Sequence, residues 1–66
     1  MTQRYTLKIK NLYKNSSRDI TVEHHDAQLA HKSAYMDHLK TDEEIRLVTD
    51  QKGSVVYDLH KGFIRS

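Results

Sequence analysis

The chain has 66 residues, eleven of them Lys or Arg against nine Asp or Glu, for a formal net charge of +2. Cysteine, proline and tryptophan are absent, and the lack of thiols excludes disulfides, thiolate metal sites and thiol catalysis. No run of residues approaches the length of a membrane span and no apolar segment of signal-peptide type follows Met1, so a cytoplasmic protein is the expectation.

Tyr5, Leu7 and Ile9 alternate with Thr6, Lys8 and Lys10, which predicts a strand with one apolar and one basic face. The alternation breaks at Leu12-Tyr13, a sign of a bulge or a strand end. Lys14 to Arg18 is a polar turn segment of the Asn/Ser type. Ile20 and Val22 then alternate with Thr21 and Glu23, giving a second short strand that forms a hairpin with the first.

Asp26 to Lys40 predicts the only helix. Asp26 suits the N-cap, and its charge suits the positive end of the helix. No Gly or Pro interrupts the following run of good helix formers. Leu29, Met36 and Leu39 make one stripe and Ala27, Ala30 and Ala34 another. Large residues usually face a core, so the first stripe is assigned to the sheet and the alanines, Ala30 and Ala34 in particular, to a partner. Thr41-Asp42-Glu43 breaks the helix, and Asp42-Glu43-Glu44 reads as a solvated charge run.

Glu44 to His60 reads as a second hairpin. Ile45, Leu47 and Thr49 alternate with Arg46, Val48 and Asp50, and Val55, Tyr57 and Leu59 with Val56, Asp58 and His60. Asp50-Gln51-Lys52-Gly53 supplies the reversal, because Gly takes up positive φ without cost. Phe63-Ile64, after Gly62, is expected to fold back over the core or cap a partner. The resulting order is β-β-α-β-β, an α+β two-layer sandwich with one helix packed on a small antiparallel sheet. Residues 1–66 form a single domain. So short a chain buries only about 60% of its unfolded surface, and a homodimer would enlarge the core without disulfides or metal.

The charge is unevenly spread. Arg4, Lys8, Lys10, Lys14 and Arg18 fall in the first eighteen residues with no acid among them, while residues 19–50 hold eight acids against Lys32, Lys40 and Arg46. Such polarity favours a partner with a charged patch, unless acidic neighbours in the fold compensate the basic strand.

Catalysis and metal binding find little purchase. The five histidines include His24, His31 and His38 at seven-residue spacing. On a helix that spacing puts His31 and His38 roughly 10 Å apart, too far to share one zinc ion. No cofactor or metal ligand set is assigned, and the histidines read as surface or interface residues. Asp50-Gln51-Lys52 matches the D-x-K fragment of metal-dependent nucleases but lies on a turn with no second acid at a recognisable spacing. Neither Ser33 nor Ser54 sits in a nucleophile motif, and there is no glycine-rich phosphate loop. The chain is therefore read as no enzyme.

The opening MTQRYTLK and the later GSVVY resemble the two ends of the Cro family of small phage repressors. That resemblance implies DNA reading by a central helix-turn-helix. Here the corresponding stretch contains Ile20-Thr21-Val22 and reads as strand, so no residue is carried over.

The leading expectation is a small non-catalytic protein-binding domain. In size and composition it is similar to inhibitors that phages and mobile elements direct against host enzymes, acting by occluding a partner protein's surface. The candidate partner-binding residues are Lys8, Lys10, Tyr13, Lys14, Arg18, Ala30 and Ala34. The alternative is a nucleic-acid-binding protein using the basic N-terminal hairpin, with lysines tracking phosphates and Tyr13 stacking on a base.

Overall fold

The computed structural model describes residues 2–64. Its elements are β1 (Gln3–Asn11), β2 (Ser17–His24), α1 (Ala27–Asp37), β3 (Glu43–Thr49), β4 (Val55–Asp58) and β5 (Gly62–Phe63). All strand pairs are antiparallel, and the sheet order is β2-β1-β3-β4-β5. The expected two-layer α+β arrangement is found, with the helix on one face of the sheet. The difference is a fifth short strand: Gly62–Phe63 pairs with β4, Tyr57 opposite Phe63. The tight return is fixed by Asp58, whose Oδ1 accepts from His60 N at 2.8 Å, and by Gly62 at φ 77°.

β1 is an interior strand, between β2 and β3. Tyr5, Leu7 and Ile9 point to the helix and are buried, while Arg4, Thr6, Lys8 and Lys10 line the face without a helix. β2 pairs with β1 in unbroken register, Tyr5 opposite Val22 and Leu7 opposite Ile20, so Ile20 and Val22 join the core from one side.

β3 does not follow simple alternation. Its pairing with β1 shifts between Lys8 and Ile9: Lys8 faces Leu47, but Ile9 faces Ile45. Arg46 is thus the extra residue of a β-bulge, and it turns Ile45 and Val48 to the same side. Both are buried, whereas Leu47 is only half-buried. The face expected from period two, Ile45 with Leu47 and Thr49, is corrected by that bulge. A second shift, between Val48 and Thr49, lets the half-buried Val56 and Tyr57 both pack on the core.

The helix begins as expected, with Asp26 Oδ1 accepting from Leu29 N at 2.8 Å. It ends at Asp37, earlier than Lys40, where the amides of His38 and Leu39 both donate to Ala34 O at 2.9 Å. Its sheet-facing stripe is the opposite of the one expected. Ala30 and Ala34 are fully buried, whereas Leu29 is 43% and Met36 71% exposed. Leu39, just beyond the helix, is half-buried against the core. The sheet already supplies the bulk through Tyr5, Leu7, Ile9, Ile45 and Val48, so close packing requires small residues from the helix.

Candidate docking surface

The turn between β1 and β2 is built on Asn11. Its Oδ1 accepts from Tyr13 N at 2.9 Å and from Lys14 N at 2.8 Å. Its Nδ2 donates to Asp42 Oδ2 at 2.9 Å, and its backbone N donates to Ser16 O at 2.8 Å. Leu12 N donates to Asp42 O, also at 2.8 Å, and Asn15 takes φ 51°, a conformation Asn tolerates better than most residues. The loop is therefore fixed from both sides, to its own strand and to the segment before β3. On this backbone stand Leu12 and Tyr13, the latter 85% exposed, with exposed Lys14 next in the chain.

The other expected contact residues separate into three groups. Lys8 and Lys10 lie on the helix-free face, where they line an open trough with Ser17, Arg46, Asp58 and His60. Acids compensate them there: Lys8 is opposite Asp19, Lys10 is opposite Glu44, and Arg46 Nη1 pairs with Glu44 Oε1 at 2.7 Å. On the same face Arg4 pairs with Glu23 at 3.8 Å. The strand pairing sets acids opposite several residues of the basic first segment.

Arg18 points to the helix side and is engaged within the fold. Its Nε donates to Glu43 Oε2 and its Nη2 to Glu43 Oε1, each at 3.0 Å, and Nη2 also donates to His38 O at 2.7 Å. Glu43 Oε1 further accepts from Lys40 N at 3.1 Å. The Arg18 hydrogen bond holds the Glu43 carboxyl below its ordinary pKa. With its side chain only 7% exposed, Glu43 is not part of a solvated charge run. Ala30 and Ala34, the third group, lie under the helix and present nothing to a partner.

Sequence reasoning missed Asn11, Asp42 and Glu43. An Asn at the end of an alternating strand, just before a polar turn, was the available signal for the first. Nothing local marks the other two, whose partners lie 31 and 25 residues away. Also unforeseen is an aromatic group on the opposite flank, where the His31 ring lies 4.5 Å from Tyr57 and 5.6 Å from Phe63, centroid to centroid. Burial there lowers the His31 pKa.

Among the described residues, no three His, Asp or Glu side chains gather as a metal site, and no helix is long and apolar enough to cross a membrane. Comparison with protein-family models, curated proteins and solved structures finds no match to this chain.

Proposed function

We propose that the chain is a non-catalytic protein-binding domain that occludes part of its partner's surface, with the Asn11–Ser16 loop as the docking element. The observation that carries this reading is Tyr13, a largely exposed aromatic side chain on a backbone fixed by Asn11. Tyrosine anchors contribute disproportionately to protein interfaces, and a loop already held in shape loses less entropy on docking. Leu12 adds apolar contact, and exposed Lys14 adds positive charge beside it. The complementary partner surface is an apolar pocket with an acidic rim. Small inhibitors of phages and mobile elements act in this general manner.

The test is capture from native host lysate by the immobilised chain, in parallel with Tyr13→Ala. One protein is expected on the unmodified chain, with binding about thirtyfold weaker for the variant, as for an interface hot spot. Equal capture by both chains would exclude the loop as the docking element.

A second reading, binding of a phosphate-bearing single strand, is favoured by the trough that Lys8 and Lys10 share with Arg46 and His60 beside the loop. It requires oligonucleotide binding that weakens steeply with salt and is lost when Lys8, Lys10 and Lys14 become Glu. The acids opposite the lysines weigh against it.

A further inference from the structure

We propose that two copies of the chain join through the outer edges of their β2 strands into one continuous sheet. The two ends of the sheet are guarded very differently. At one end stands β5, only two residues long, beside a β4 whose own pairing is interrupted by a shift. At the other stands β2, eight residues in unbroken register with β1 from Gln3–His24 to Lys10–Ser17. Among the described residues no strand pairs with its outer edge. Edge strands of monomers are usually blunted by Pro, Lys, bulges or brevity. β2 has no Pro, Lys or bulge and is not short; its charges, Arg18, Asp19 and Glu23, flank a β-propensive centre, Ile20-Thr21-Val22.

Its charges do not hold a second copy away. Arg18 is drawn inward to Glu43, Glu23 lies beside Arg4, and Asp19 lies opposite Lys8. The helix adds an apolar flank on the same side. His31 marks the flank of α1 over β4 and β5. By helical geometry Leu29 leans to the other flank, towards β2, and Met36 is turned further out to solvent; both are exposed.

The charges also select a register. A two-fold axis normal to the sheet keeps both helices on one face and pairs residues that point the same way. Centred on Thr21, it would set Asp19 against Glu23 of the second copy twice, and like charges directly opposite are unfavourable. Centred on Ile20, it sets Ile20 against itself, Asp19 against Thr21, Arg18 against Val22 and Ser17 against Glu23. No like charges meet, and the flank of each helix that carries Leu29 is on the side of the axis. The two Tyr13 loops then lie at opposite ends of the assembly and stay free.

Sedimentation velocity of the full chain, from micromolar to several hundred micromolar, tests the interface. A species of twice the mass of one chain is expected. Thr21→Glu on the edge, which sets a carboxylate opposite Asp19 of the second copy, and Leu29→Glu on the helix should each weaken it by about tenfold or more, with unchanged circular dichroism. Tyr13→Ala should leave it intact, which separates this interface from the docking loop. Mild oxidation should cross-link Ile20→Cys into a covalent dimer but not Thr21→Cys, whose Cα atoms are more than about 7 Å apart in this register. A monomer at every concentration, or a dimer indifferent to both Thr21→Glu and Leu29→Glu, would overturn the proposal. Cross-linking through Thr21→Cys instead of Ile20→Cys would overturn the register.

Discussion

Arg18 and Glu43 form a two-pronged ion pair, Nε to Oε2 and Nη2 to Oε1, that reaches across β1 and ties β2 to the start of β3. The same guanidinium caps the helix end through His38 O. One side chain thus joins both layers of the sandwich at the end where the helix returns to the sheet.

The pair makes stability sensitive to acid. The folded pKa of Glu43 lies below its ordinary value of 4.5. Its contribution is therefore present above that value and is lost as pH falls through the lower folded pKa. Thermal melts from neutral pH to pH 3 should show an acid limb that is shallower in Glu43→Gln. Arg18→Lys should lower the melting temperature at neutral pH, because an ammonium cannot reproduce the two-pronged geometry.

His31 gives a second and separate pH dependence. Burial lowers its pKa from the ordinary 6.5, so the unfolded chain takes up this proton first as pH falls. The stability linked to His31 is complete above about 6.5 and declines below it until the folded pKa is passed. Denaturant titrations at pH 7.5 and 5.5 should differ less in His31→Leu than in the unmodified chain. An imidazole titrating at or above 6.5 by NMR would contradict this account.

The helix packing predicts an inversion of the usual size rule. Ala34→Leu should destabilise the fold by about 1–3 kcal/mol or more, because the added carbons meet a filled sheet face. Met36→Ala, at dilute concentration, should stay within about 0.5 kcal/mol. Chemical denaturation of the two variants measures both, and the opposite ranking would place the helix the other way round.

Asn11→Ala should cost about 1–3 kcal/mol, since the backbone amides of Tyr13 and Lys14 lose their acceptor and Asp42 its donor. Amide exchange should accelerate at Tyr13 and Lys14 while the core strands remain protected at low denaturant. Binding through the loop should weaken even though the Tyr13 side chain is intact.

Much of this was legible locally. Alternation from Tyr5 to Ile9 fixes a strand and its buried face, because a strand in the middle of a sheet repeats every two residues. Asp26 marks the helix start, and Asp50-Gln51-Lys52-Gly53 the hairpin turn, because capping and turn chemistry act within four residues. Asp50 Oδ1 accepts from both Lys52 N and Ser54 N at 2.9 Å, and Gly53 takes φ 87°.

Only the tertiary structure decided the rest. Periodicity separates Ala30 and Ala34 from Leu29 and Met36 but does not say which side meets the sheet; the volume already filled by Leu7, Ile9 and Val48 does. Arg46 becomes a bulge only through its pairing with β1, and that bulge exchanges Leu47 for Val48 in the core. Arg18 and Glu43 appear in the sequence as unrelated surface charges. They meet because β1 lies between β2 and β3, a consequence of strand order, which no local pattern encodes.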